Sequence, residues 1–331
     1  MMRYIVLMIL LVLATMLALL VGQVALAPAA LWDGLTGGDG PGGLTIRILR
    51  GPRVAVALCA GAAFGLSGAV FQQLFRNPLA SPDVMGFSSG SGLAILAAIT
   101  FGLTLPMPLV AAAGGLATAL LVAVLARPAG GSNGSVEGIP ALTLVLVGIG
   151  IGFTAAAIGA FLMTRLSGPQ AAEAQRWLAG SLAARDWSNA FQIATFGGVL
   201  GLCLVLQIRS FRLLELGPEL AAGLGLKVAR ARMLLAVTGV CLAASAVVVA
   251  GPVAFVALMA PPVGARFVRT TDPGGRLVAA AIAGAIIVVL ADLVARASLP
   301  GLQLPIGVMT GILGAPYLLW RLSREMERGE L

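Results

Sequence analysis

Gln207-Ile208-Arg209-Ser210-Phe211-Arg212-Leu213-Leu214-Glu215-Leu216-Gly217-Pro218-Glu219-Leu220-Ala221-Ala222-Gly223-Leu224-Gly225-Leu226-Lys227-Val228-Ala229-Arg230-Ala231-Arg232 is a polar island in a very apolar chain. It holds Arg209, Arg212, Lys227, Arg230 and Arg232, with Glu215 and Glu219 between them. Long apolar runs flank it, at 189–206 and 233–250. Gly217-Pro218 should break any helix, and Pro218 suits the first turn of a new one because its missing N–H has no partner to lose there. Gly223 and Gly225 end that second piece. The island therefore reads as two short helices in a cytoplasmic loop, offered to something else. On charge alone, a polar loop that only holds topology fits equally well.

The flanking runs set the class. Of the 331 residues, 59% are hydrophobic and only 10% charged, with a mean hydropathy of +1.03. Water-soluble domains carry about 25% charged residues, so the chain is an all-α integral membrane protein. Helices are preferred to a barrel because the apolar runs are long and continuous. The net charge of +8 does not point to nucleic acid, since the arginines flank apolar spans in the positive-inside manner. There is no histidine, which removes histidine ligation of metal or haem and histidine acid–base catalysis. Cys59, Cys203 and Cys241 are scattered through apolar spans and suit neither a disulfide framework nor a metal site.

About ten spans follow in order. The first, 1–27, lies behind Arg3 and ends in Ala25-Leu26-Ala27, which mimics a signal-peptidase site; its length favours an uncleaved span. Residues 30–45 are Gly-rich and read as a flexible external loop. The next spans are expected at 54–74, 84–105, 108–126 and 139–163, with an inner loop at 127–138. An outer amphipathic stretch, 165–188, carries Trp177 and Trp187 at positions suited to the membrane interface. The remaining spans are expected at 189–206, 233–250, 253–267, 277–295 and 304–322, the eighth being short. Both termini then lie inside, and 14 of the 21 basic residues fall on the inner side, as the rule requires. Gly68-Ala69-Val70-Phe71 before Asn77-Pro78 echoes Gly251-Pro252-Val253-Ala254-Phe255 before Ala260-Pro261, which is either a trace of inverted repeats or chance.

Three GxxxG spacings, Gly61/Gly65, Gly148/Gly152 and Gly197/Gly201, read as helix-packing surfaces. Gly148-Ile149-Gly150-Ile151-Gly152 lies inside an apolar span and is not a dinucleotide loop. The single lysine, Lys227, precedes Val228, so the Gly-Lys-Ser/Thr of a P-loop is absent and this chain supplies no Walker-type ATP site. No catalytic constellation and no cofactor site is visible. Asp292 and Arg296 share one helix face near a span end. They read as structural pairing or as a partner site at the outer mouth; one carboxylate is poor support for a proton relay.

Several motifs together resemble the iron-siderophore, haem and vitamin B12 permease family of type II ABC importers. They are Leu49-Arg50-Gly51-Pro52-Arg53, Phe71-Gln72-Gln73-Leu74-Phe75-Arg76-Asn77-Pro78-Leu79-Ala80-Ser81-Pro82, Gly86-Phe87-Ser88-Ser89-Gly90, Trp177-Leu178-Ala179-Gly180-Ser181-Leu182, Gly217-x-Glu219-x-Ala221-x-x-Gly223-Leu224-Gly225, Ala291-Asp292-Leu293-Val294-Ala295-Arg296 and Leu304-Pro305-Ile306-Gly307-Val308. They span nearly the whole chain, and the stretches 81–87 and 212–215 look most like ferric-enterobactin permease subunits.

The resemblance implies one ten-helix permease domain, 1–331, with the vitamin B12 permease fold. It implies a second permease subunit, identical or not, two cytoplasmic ATP-binding subunits and an extracytoplasmic substrate-binding protein. On the same carry-over, Glu215, Gly217, Glu219, Ala221, Gly223, Leu224 and Gly225 belong to the ATPase-coupling segment, about 208–232. Arg50, Arg53 and Arg296 match arginines that dock the binding protein, and Arg76-Asn77-Pro78 is the cytoplasmic loop motif. The expected function is ferric-siderophore import across a bacterial inner membrane. Haem or cobalamin import is the alternative within the family, and an ion-coupled secondary carrier is the alternative outside it. One departure stands out. The family reads Pro-His where this chain has Pro261-Pro262, and Ala265 replaces its usual arginine, with Arg266 beside it. The second proline should disturb the eighth span.

Overall fold

A computed structural model describes residues 2–22, 25–37, 40–126, 141–298 and 304–327, and its regular elements are all helical. The inner loop expected at 127–138 lies outside the described residues. In chain order the helices are α1 (Met2–Leu20), α2 (Ala29–Thr36), α3 (Pro41–Leu44), α4 (Gly51–Phe75), α5 (Phe87–Thr100), α6 (Met107–Leu125), α7 (Ala141–Met163), α8 (Gly168–Leu178), α9 (Trp187–Leu206), α10 (Ile208–Glu215), α11 (Pro218–Gly223), α12 (Val228–Ala250), α13 (Val256–Val268), α14 (Pro273–Ala297) and α15 (Ile306–Glu327). The ten expected spans correspond to α1, α4, α5, α6, α7, α9, α12, α13, α14 and α15. Among the described residues, seven helices are long and apolar enough to cross a membrane, and α5 and α13 are shorter apolar helices.

α4 and α14 form the centre. Small residues bring their backbones into contact. A Cβ on Gly65 would meet the Ala280 carbonyl oxygen at 2.1 Å, and one on Gly284 would meet the Gly61 carbonyl oxygen at the same distance. α13 joins the seam through Gly68, where an added Cβ would lie 1.7 Å from the Ala257 carbonyl oxygen. In lipid, close approach of this kind substitutes van der Waals contact for the missing hydrophobic drive between helices. The Gly61/Gly65 spacing is therefore a packing surface within the chain. Gly201 has open space where a Cβ would point, and Gly152 meets only the Ser89 hydroxyl at 3.4 Å, so neither glycine builds such a seam here.

The region before α4 differs from expectation. Residues 30–45 hold α2 and α3 rather than a plain loop, and a π-helical turn, Thr45–Arg50, runs α3 into α4. Pro41 sits in the first turn of α3, where its missing N–H costs nothing. Ile46, 6% exposed, seats against Gly34, whose lack of a side chain makes room for it.

α5 covers 14 residues, fewer than the 84–105 expected. Gly86 and Gly102 adopt left-handed conformations that bound it on either side. At about 1.5 Å per residue it is too short to cross a hydrocarbon core of about 30 Å alone. The break between α12 and α13 likewise lies within the fold. Ala250 accepts from the Ser181 N–H at 2.9 Å, and Ala179 accepts from the Gly307 N–H at 3.1 Å. Non-helical backbone is tolerated at depth when its polar groups are satisfied by protein in this way. The echoed Gly68 and Gly251 segments sit in unlike places, one inside α4 and one in this break.

The double proline finds compensation. Pro261 and Pro262 lie inside α13, and a proline at 262 removes the N–H that would bond the Leu258 carbonyl. The Gln72 amide of α4 donates to that carbonyl instead, at 2.9 Å. A buried carbonyl left without a partner costs about 1–3 kcal/mol. Gln72→Ala is therefore expected to destabilise the chain by that order in thermal unfolding. The loss should shrink in a Pro262→Ala background, where the helix regains its own donor. Equal losses in both backgrounds would show that Gln72 does not serve the proline.

Candidate functional site

Two sites occupy opposite ends of the antiparallel α4–α14 pair. At one end, Arg53 at the start of α4 forks onto Asp292 of α14. Its Nε lies 2.9 and 3.1 Å from the two carboxylate oxygens and its Nη2 2.8 Å from Oδ1. Arg296, one turn beyond Asp292, places Nε 3.4 Å from Oδ2. The same end receives the C-terminus of α1. Arg50 Nη1 donates to the Leu19 and Leu20 carbonyls at 2.9 and 2.7 Å, and Arg296 Nη2 donates to the Ala18 carbonyl. These carbonyls close a helix that stops there and carry the negative end of its dipole, and the Leu20 carbonyl also accepts from the Leu26 N–H at 3.0 Å. Three guanidiniums thus answer one carboxylate and one helix terminus. Gly22 lies against the cluster, its Cβ position 3.1 Å from Arg50 Nη2.

The structure brings Arg50, Arg53 and Arg296 together, but in a buried setting. Arg50 and Arg296 are 8% and 5% exposed, and Asp292 is 1% exposed. Asp292 is the residue whose main partner the sequence did not show. Its neighbour in sequence, Arg296, is the weaker contact, whereas Arg53 stands 239 residues away.

At the other end, α10 and α11 form a helix–turn–helix as the sequence suggests. α10 is strongly amphipathic: Phe211 and Leu214 are buried while Arg212 points outward. Gly217, at φ +107, makes a turn that a side chain would strain. Arg76 ends α4 in a left-handed conformation and donates through Nη2 to the Leu214 and Glu215 carbonyls, at 3.1 and 3.3 Å. The loop motif containing Arg76, Asn77 and Pro78 and the α10–α11 segment are thus one assembly; Asn77 itself turns inward on its loop, accepting from the Leu79 N–H at 2.8 Å. Glu215 is ion-paired with Arg276 at the start of α14, and Arg212 pairs with Asp272 at 3.0 Å on the surface. The exposed pair contributes about 0–1 kcal/mol.

The site residues read from the sequence divide by role. Ala221 is fully buried and Glu215 is held by Arg276, so both mount the segment. Glu219, Gly223, Leu224 and Gly225 are exposed. The sequence reading missed Leu216 and Leu220, which with Leu224 are 54%, 63% and 56% exposed. Their spacing by four was the available signal, obscured by the Gly217-Pro218 break between them. Among the described residues, no group of three or more His, Cys, Asp or Glu could hold a metal.

This bundle, with its irregular breaks held by protein and its two charged ends, defines a multi-pass membrane permease. The FecCD transport family matches residues 10–324, and the chain belongs to that family. It is 38% identical over 311 residues to the ferric enterobactin transport system permease protein FepG of Escherichia coli, covering 93% of this chain and 91% of that one. It is 35% identical to the Fe(3+)-citrate import system permease protein YfmE of Bacillus subtilis, covering 97% and 94%. It is 34% identical to the vitamin B12 import system permease protein BtuC of Salmonella, covering 95% and 93%. A solved metal-chelate type ABC transporter in an inward-facing conformation shares the fold at a TM-score of 0.81 and 27% identity, covering 96% of this chain and 97% of that one.

Removing one partner of a buried pair typically costs about 3–5 kcal/mol, because the other charge stays buried. Asp292→Asn leaves Arg53 and Arg296 without their carboxylate and is expected to lower the unfolding temperature in detergent sharply. Asp272→Asn, at the exposed pair, should change it little. Similar small shifts for both would show that Asp292 does not hold the cluster.

Proposed function

We propose that this chain is the permease subunit of an ATP-driven importer of ferric siderophores in a bacterial inner membrane, with both termini cytoplasmic. The observation that carries the reading is the rigidly mounted α10–α11 segment with its exposed leucines. A chain lacking a Walker motif needs a partner to hydrolyse ATP, and this segment is built to meet one. α4, α14 and Arg76 hold its back, while Leu216, Leu220, Leu224 and Glu219 face outward. The proposed partners are a second permease subunit, two ATP-binding subunits at this end and a substrate-binding protein at the other. A secondary carrier working alone has no use for exposed leucines beside a charged loop. The siderophore assignment follows the names of FepG and other relatives; the similarity to BtuC supports cobalamin as the second reading.

In proteoliposomes containing the full complex, ATP should drive uptake of ferric siderophores in preference to haem or cobalamin. Leu220→Asp should abolish co-purification of the ATP-binding subunit and stop uptake, with the unfolding temperature of the permease unchanged. Uptake of cobalamin alone would overturn the substrate, and uptake without any ATP-binding subunit would overturn the class.

At the opposite end we propose that the Arg50, Arg53 and Arg296 cluster docks the binding protein. The motif match and the gathering of Arg50, Arg53 and Arg296 at one end of the α4–α14 pair support this. Because Asp292 already occupies the fork of Arg53, a partner carboxylate has to compete with it or share it. Paired charges of this kind steer and orient more than they add affinity. Arg53→Gln, in protein verified as folded, should weaken binding-protein association at low salt and flatten its salt dependence. Association identical to the parent at low salt would remove the docking role.

A further inference from the structure

α10 meets the start of α14 through crossed charges. On α10, Arg212 and Glu215 stand three positions apart and so share one face. Opposite them, Asp272 caps α14 and Arg276 follows one turn later. Arg212 pairs with Asp272, and Glu215 pairs with Arg276. The Asp272 carboxylate serves both helices at once. Its Oδ2 accepts from the Gly275 N–H at 2.8 Å, while its Oδ1 takes Arg212. Gly274 keeps the two helices close: a Cβ there would lie 3.4 Å from Ile208 Cδ1 and 3.5 Å from Arg212 Nη2.

The order of signs fixes a register. A slip of α10 by one turn along α14 brings Arg212 toward Arg276, or Glu215 toward Asp272, and like charges then face each other. Exposed pairs add little to stability. The value of the arrangement therefore lies in where it holds α10. The covalent links of the α10–α11 segment are looser connections. It joins α12 through 224–227, which is not helical, and Gly225 there has φ +83 with open space where a Cβ would point. Non-helical joints of a few residues absorb displacement by rotating φ and ψ. At the other end Gln207, at φ −90° and ψ 3°, interrupts the helix between α9 and α10.

We propose that Glu215 and Arg276, with Arg212 and Asp272 beside them, are positioning residues that carry displacement of the α10–α11 segment into α14. From this clamp α14 runs along the glycine seam with α4 to Asp292 and Arg296 near its far end. When an ATP-binding subunit moves the exposed leucines, the crossed pairs make α14 move with α10, and the loop joints do not take up the motion. The four charges thereby set how much cargo crosses for each ATP hydrolysed. The inference rests on the proposed ATP-driven import and adds to it the contact that carries the stroke.

The test uses the full complex in proteoliposomes, with ferric enterobactin, haem and cobalamin offered in parallel. The cargo that the parent takes up is scored, and uptake and ATP hydrolysis are read in the same vesicles. Arg276→Glu and Glu215→Arg should each lower uptake per ATP about tenfold, the order of a coupling energy between two sites. Glu215→Arg combined with Arg276→Glu rebuilds the pair with its signs reversed and should recover part of the ratio. Asp272→Asn removes only the outer pair and keeps the cap of α14, since asparagine caps as well as aspartate. It should leave the unfolding temperature unchanged and lower the ratio by a smaller factor. A role confined to folding gives the reverse pattern: unfolding temperature and yield fall, while the ratio stays at the parent value in every assembled variant. That pattern, or a double variant no better than the singles, would overturn the clamp and leave the proposed function standing. A parent complex that takes up none of the three cargoes, or takes one up without ATP, would overturn the proposed function and the clamp with it.

Discussion

The contact between the backbones of α4 and α14 sets the terms for everything else. Glycine at 65 and 284 lets two helices approach until a carbonyl oxygen of one rests where a side chain of the other would be. A gap of one methyl group at that seam would separate the helices along their length. The Arg53–Asp292 fork at one end ties α4 to α14, and the Arg276–Glu215 pair at the other ties α14 to α10, so both depend on the seam. An ion pair tolerates little displacement, because its desolvation cost is fixed while its attraction falls with distance. Small residues in the middle thus make the charged ends affordable.

This arrangement joins the two charged ends mechanically. The end that gathers Arg50, Arg53 and Arg296 and the end that mounts α10 and α11 share the same two helices. A displacement at one end cannot be absorbed by bending at the glycine seam, since close-packed interiors shift between discrete arrangements rather than yielding smoothly. Under the proposed function, such a connection would link the end that meets the ATP-binding subunits to the end that meets the binding protein.

Much of the fold was legible in the sequence because hydropathy and charge respond to membrane physics directly. Ten apolar runs became ten helices, and Gly217-Pro218 marked the α10–α11 turn. The rest depended on contacts that sequence distance hides. Arg53 and Asp292 are 239 positions apart, so the carboxylate was assigned to Arg296, its visible neighbour. Residues 30–45 read as a flexible loop because glycine is abundant there; Gly34 instead serves as the seat for Ile46. The three GxxxG spacings looked alike, and only tertiary structure separates Gly61/Gly65 from the pair whose second member, Gly201, faces open space. Ala221, which the resemblance places in the coupling segment, is fully buried, since a short amphipathic element must turn one side inward to stay in place.

The double proline shows how a local violation can be neutral for the fold. Helical propensity condemns two prolines in the middle of α13, yet the cost lies in two specific carbonyls rather than in proline as such. One of them, on Leu258, receives the Gln72 amide from α4. The other, on Ala257, faces Gly68, where the neighbouring backbone comes close enough that no side chain fits between. Cα–H groups at such crossings are weak donors, worth about 0.5–1 kcal/mol each. The same glycine that lets α13 reach α4 therefore also softens the defect the prolines introduce. That pairing explains why the departure from the family pattern at Pro262 leaves α13 helical through Val268.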